Sequence, residues 1–161
     1  MTAASFEDLK QQGNGAFRSK NYSSAVAYYT EAIKVKDDEP VAYSNRAMCY
    51  IHLERYFEAL EDCDKALEYD TKSVKAYYRR AKALSKLTRY QLAKRDFQLI
   101  VTLDPSNSSA KKEIEQLDKI IESDSRIDLQ TYAKPDHLQS DKPLKHIELM
   151  NRYSGTFLYD Q

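Results

Sequence analysis

Gly13, Ala47 and Ala81 stand 34 residues apart, and the same step separates Tyr22, Tyr56 and Tyr90, and Ala25, Ala59 and Ala93. Two more columns keep the phase with similar residues: Leu9, Tyr43, Tyr77 and Tyr29, Cys63, Phe97. A fixed period of this length restricts the chain to a solenoid of helix–turn–helix units, none of which can bury its apolar face alone. Packing explains the columns. A small residue at one place in each helix pair lets the partner helix approach, and a larger one elsewhere fills the groove that results. The expected fold is all-α: three helical hairpins over about 6–39, 40–73 and 74–107.

Within these units the sequence predicts helices at 6–19, 22–35, 40–53, 56–69, 74–87 and 90–103. Ala25, Tyr28, Tyr29, Ala32 and Ile33 follow helical spacing. Pro40 suits a first helical turn. Asp104-Pro105-Ser106-Asn107 is a stop and turn, after which Ser108 or Ser109 is expected to cap a last helix running to about Glu122. That helix carries Ala110, Ile114, Leu117 and Ile121 on one face and would cover the end of the third unit. The domain is thus expected to span 1–122, with the end helix at 108–122.

Composition narrows the function classes. Of 161 residues, 25 are basic and 25 acidic, so no overall cationic field draws the chain to nucleic acid or to a membrane surface. The apolar runs are too short to span a bilayer, and the first residues lack the apolar stretch of a signal peptide. Cys49 and Cys63 form no CxxC pair and fall on core positions, as reduced thiols of a cytoplasmic or nuclear protein would. His137 and His146, with Asp136 and Asp141, lack metal-site spacing, and His52 is expected to line a groove rather than act as a base. No phosphate loop, nucleophile elbow or HExxH is present, so neither an enzyme nor a cofactor is expected.

The columns of small residue, Tyr and Ala resemble the tetratricopeptide repeat (TPR) family over about Phe6 to Asn107. The resemblance implies a right-handed superhelix whose first helices line a concave groove. Two departures stand out. Only Pro105 fills the closing-proline column, where Asp37 and Thr71 stand in the other repeats. Gln12, Arg46 and Arg80 replace the usual Leu before the small residue, which suggests that these helices serve something besides packing.

On that groove the resemblance places Lys10 and Asn14, Asn45, and Lys75 and Arg79. Lys10 and Asn14 are four apart, as are Lys75 and Arg79, so each pair shares one helical face. Two cations at that spacing repel, an arrangement that makes sense if an anion sits between them. Lysine and arginine supply charge-assisted donors, and the amides supply neutral donors that fix direction. Lys10-x-x-x-Asn14, Ser44-Asn45-Arg46-Ala47 and Lys75-x-x-x-Arg79 resemble the carboxylate clamp of TPR co-chaperones. Those proteins hold the Glu-Glu-Val-Asp C-terminus of Hsp90 or Hsp70, which presents two carboxylates on its last residue. Phe17, Met48, Ile51 and Tyr78 are further groove positions for an apolar side chain of the peptide, and Lys82 and Lys86 for its glutamates.

The period ends near Ser123. Residues 123–161 are expected to be an extended partner-binding tail, with 143–150 as a candidate strand carrying Leu144, Ile147 and Leu149 ahead of Phe157 and Tyr159. Lys134-Pro135-Asp136-His137 and Asp141-Lys142-Pro143-Leu144-Lys145 resemble the segment that follows the TPR domain in the RNA polymerase II-associated protein 3 family. Membership would imply a monomeric adaptor that recruits a PIH1-type protein, through its CS domain, into the R2TP assembly complex. Two other readings stay open on the residues alone. One is a scaffold whose groove takes an internal peptide, and the other is the targeting module of an enzyme whose catalytic domain lies past residue 161.

Overall fold

The computed structural model describes residues 4–124. The expectations placed on 125–161, including the strand at 143–150 and the partner role of Leu144, Ile147, Leu149, Phe157 and Tyr159, lie outside the described residues. The described chain is helical, in the order α1 (Phe6–Arg18), α2 (Tyr22–Val35), α3 (Pro40–His52), α4 (Tyr56–Tyr69), α5 (Val74–Lys86), α6 (Tyr90–Leu103) and α7 (Ser108–Asp124). Each helix packs on the next, and α3 also meets α5 directly. This is the expected all-α solenoid of three hairpins closed by an end helix.

The caps show why the helices begin where they do. Ser5 and Asp8 form a reciprocal capping box at α1. Asn21 and Ser73 accept from the backbone N–H three residues on, at α2 and α5, and Pro40 opens α3. The last cap corrects an expectation. Asn107, not Ser108 or Ser109, receives the Ala110 N–H at 3.0 Å on its Oδ1, and its own side-chain and backbone N–H groups donate back to Asp104, which fixes the amide over the turn.

The first helix of each hairpin ends one residue earlier than the period suggested. Lys20, Glu54 and Thr88 lie one repeat apart and share a left-handed conformation, with φ of 59°, 58° and 59°. In each case this residue and the next donate back to carbonyls of the last turn, which closes the helix end.

Gly13 shows the packing rule most sharply. A methyl group there would come within 2.6 Å of Tyr29 Cε1, so the Tyr29 ring lies flush against the α1 backbone. Ala47 and Ala81 stand in the same column fully buried, with Cys63 and Phe97 in the Tyr29 column. The main core runs from α3 to α7 through Ala47, Leu60, Leu84, Phe97, Ile100 and Leu117. Ala110 and Leu117 of α7 are buried on it, with Ile114 and Ile121 packed beside them, as the end-helix pattern required.

Candidate functional site

Adjacent residues of a helix point about 100° apart, so α5 presents Arg79 and Arg80 to different neighbours. Arg80 forms a two-pronged ion pair with Asp96 of α6, at 2.8 Å from both Nε and Nη2, and a third bond to Asp64 of α4. Arg46 does the same one repeat earlier, pairing Nε and Nη2 with Asp62 and reaching Thr30 of α2. The arginines that displace the expected Leu are therefore struts between second helices of successive repeats. Their partners stand 16 residues to either side, a regularity visible in the sequence once the pairing is known. Gln12, in the same column, has no such role in view and is exposed.

Arg79 turns into the groove and meets no carboxylate among the described residues. Its Nη1 donates to the Ser44 hydroxyl and, at 3.3 Å, to Asn45 Oδ1. Asn45 Nδ2 in turn donates to Asn14 Oδ1 at 3.4 Å, which also accepts the Tyr29 hydroxyl at 2.7 Å. This chain of bonds decides how both amides sit. The Asn14 oxygen is fully used, which leaves its two N–H groups for another acceptor. Asn14, Asn45 and Arg79 line one cavity of about 70 Å³ together with Phe17, Met48 and Tyr29. That is room enough for a carboxylate.

Charge in this cavity is uncompensated. Burial pushes the Arg79 guanidinium below the usual arginine value, yet arginine remains protonated throughout the working range. The acidic groups that act on it are Cys63, Tyr29 and Cys49. Burial holds the Cys49 thiol up to about 11 and Tyr29 up to about 12, and it raises Cys63 as well. All three are neutral at pH 7. A half-buried cation held by neutral groups alone carries a desolvation cost, and an incoming anion relieves it.

The other sequence-selected residues divide. Lys10 lies one turn before Asn14 and is held by Glu7 at 2.6 Å, beside the Phe6 ring. Lys75 lies one turn before Arg79 and is exposed, as is Lys86 in the last turn of α5. Lys82 was expected to await a ligand glutamate, but it is bound at 3.1 Å to Glu113 of α7. Tyr78 sets its ring edge-on to Phe97, with its hydroxyl donating to the same Glu113 oxygen. Ile51 packs against the main core. His52 was expected in the groove. It stacks on Tyr22, 4.3 Å between ring centres, with Phe17 of the cavity wall edge-on to both rings.

Sequence reasoning missed three contributors: Ser44, which accepts from Arg79, Tyr29, which orients the Asn14 amide, and Glu113, which reaches over from the end helix. Ser44 stood inside the motif and was legible as its neighbour. No periodic signal marks Glu113. No cluster of His, Cys, Asp and Glu among the described residues suits a metal, and no described helix is long and apolar enough to cross a membrane.

Comparison with known proteins fits this geometry. The tetratricopeptide repeat family model matches residues 40–72 and 74–107. Serine/threonine-protein phosphatase 5 of Rattus norvegicus is 33% identical over 157 residues, which is 96% of this chain and 31% of that protein. The chain spans 12% to 31% of the length of the curated relatives it matches. Among solved structures, the first TPR of Spaghetti (RPAP3), bound to the HSP90 peptide SRMEEVD, is 30% identical with a TM-score of 0.71. The match covers 73% of this chain and 93% of that one. The second TPR domain of human RPAP3, in complex with the HSP70 peptide SGPTIEEVD, is 34% identical with a TM-score of 0.66, covering 68% of this chain and 92% of that one. The described helices are homologous to TPR domains that bind Hsp90 and Hsp70 C-terminal peptides, and the chain belongs to the tetratricopeptide repeat family.

Proposed function

We propose that this chain is a co-chaperone adaptor whose groove docks the C-terminal Asp of a Glu-Glu-Val-Asp peptide, that of Hsp90 first and that of Hsp70 as a second ligand. One observation carries the reading: Arg79 is half-buried at a cavity that can take a carboxylate, its hydrogen-bond partners are neutral, and Asn14 and Asn45 line the same space. Asn14, Asn45 and Arg79 hold one carboxylate of the terminal residue. Lys10 and Lys75, one turn away, supply charge for the other. Phe17 and Met48 form the apolar wall for the preceding Val.

The peptide-bound structural relatives support this assignment. Calorimetric titration tests it with Ser-Arg-Met-Glu-Glu-Val-Asp bearing either a free or an amidated C-terminus. Docking of the free form alone is expected. Equal affinity for both forms would mean that the groove takes internal peptides and that the clamp reading is wrong.

The tail sequence supports placement in the RNA polymerase II-associated protein 3 family, with a PIH1-type CS domain recruited through 123–161 in an R2TP-like assembly. Truncation after Glu122 should abolish that recruitment and leave peptide affinity unchanged. Capture of the adaptor by the truncated chain would place its site on the helical domain instead. The likeness to phosphatase 5 favours a second reading at the level of the whole protein, in which the same groove targets a longer enzyme. Phosphatase activity of the full-length gene product distinguishes the two.

A further inference from the structure

Tyr78 and Lys82 flank Arg79 on α5 and are four residues apart, so they share one helical face. Both donate to a single oxygen, Oε1 of Glu113, at 3.4 and 3.1 Å. Two donors converging on one point from one helix are the geometry of an anion subsite, and here the anion comes from the protein itself. Burial and the Glu113 charge both raise Tyr78 above the usual tyrosine value, so its hydroxyl stays protonated and donating.

The Glu113 contact is not needed to seat α7. Ala110 and Leu117 are buried on the core, and a separate ion pair joins Lys94 to Asp118. Nor is it sealed. The Lys82 side chain is 39% exposed and that of Glu113 21%, so an outside carboxylate can reach the lysine.

We propose that Glu113 is a built-in competitor for the peptide's own acidic side chains: it fills a second anion subsite, made by Lys82 and Tyr78, and sets how much an upstream glutamate contributes to binding. This rests on the peptide-docking reading above. In the free chain the subsite is occupied, so a peptide glutamate gains Lys82 only by releasing Glu113. One carboxylate is exchanged for another, and the net gain is small. The groove therefore reads the terminal Asp strongly and the upstream glutamates weakly.

The test is a titration of the wild-type chain, Glu113→Gln and Glu115→Gln with Ser-Arg-Met-Glu-Glu-Val-Asp and with a version carrying Gln for both glutamates. Glu115 is exposed on the same helix, so Glu115→Gln removes the same charge away from the subsite. Glu113→Gln should tighten the glutamate peptide about two- to fivefold and leave the glutamine peptide unchanged. Glu115→Gln should alter neither affinity. Adding Lys82→Ala to Glu113→Gln should erase the gain, and a urea midpoint on each variant confirms that it is folded. If Glu113→Gln tightens both peptides equally, or neither, the proposal falls and Glu113 is only a strut to α7. That result would leave the clamp intact. Wild-type protein indifferent to C-terminal amidation would overturn the clamp reading, and this inference with it.

Discussion

Arg79 and Arg80 are consecutive, equally charged and both largely enclosed, yet they meet opposite surroundings. Arg80 has two carboxylates and is a strut. Arg79 has a hydroxyl and an amide oxygen, and its titratable neighbours are neutral at pH 7. A buried guanidinium paired with carboxylates is already satisfied and offers a ligand little. One held by neutral groups keeps its attraction for an anion, and it gives up native-state stability to do so. The pair teaches that residue type alone does not separate structure from site; the charge of the partners does.

Breaking a strut should have the largest effect. Asp62→Ala leaves Arg46 hydrogen-bonded to Thr30 only, beside the Tyr43 and Tyr50 rings, so Arg46 becomes another cation without a carboxylate. A loss of about 3–5 kcal/mol in urea unfolding is expected. A loss under about 1 kcal/mol would mean that these pairs resemble surface ion pairs and the contrast is overstated.

Alkaline pH tests the neutral half of the comparison. The folded Cys49 thiol titrates near 11, against about 9 when unfolded. The folded value is the higher one, so its contribution is complete below about pH 9 and lost as pH rises toward 11. The expected fall is on the order of 2 kcal/mol, with Cys63 acting in the same direction. Thiol-reactive dye should leave both cysteines unlabelled in native protein at pH 7.5. Rapid labelling would show thiolate beside Arg79 and remove the claim that its charge is uncompensated.

Gly13→Ala attacks the groove from behind. The added methyl displaces the Tyr29 ring, whose hydroxyl orients Asn14. A cost of roughly 1–3 kcal/mol in stability is expected, together with weaker peptide binding. Unchanged affinity would detach Tyr29 from the site. Thr88→Gly, far from either network, relieves a β-branched residue of its positive φ and should stabilise by roughly 0.5–1 kcal/mol with peptide affinity untouched. A change in affinity there would mean that stability and binding are coupled throughout, which would blur the contrast between strut and site.

Much of the fold was legible because solenoid packing writes itself into the sequence once per repeat. The starts of the six repeat helices came out to the residue, and the shorter ends of α1, α3 and α5 were hidden because Lys20, Glu54 and Thr88 lack the glycine that usually announces a left-handed turn. The convergence of Asn14, Asn45 and Arg79 was readable, since equivalent helices of successive repeats sit side by side. What the repeat does not encode was missed. Lys82 meets Glu113 across to α7, outside the periodic part, and Lys10 meets Glu7, so two of the five groove cations already carry partners. Arg46 and Arg80 were noticed as departures, but their partners lie on second helices and point away from the groove.

The central claim is that the two neighbouring arginines do separate work, and Arg79→Met beside Arg80→Met tests it most directly. Each variant is assayed for free C-terminal peptide affinity by calorimetry and for stability by urea unfolding. Arg79→Met should weaken the peptide about ten- to hundredfold, the loss of charge-assisted bonds worth roughly 1.5–3 kcal/mol, while stability holds or rises. Arg80→Met should leave affinity within about twofold of wild type at a temperature where the variant is folded, and lose stability as the carboxylates of Asp96 and Asp64 lose the guanidinium that bridges them. An Arg79→Met protein that binds the peptide as tightly as wild type would contradict the account.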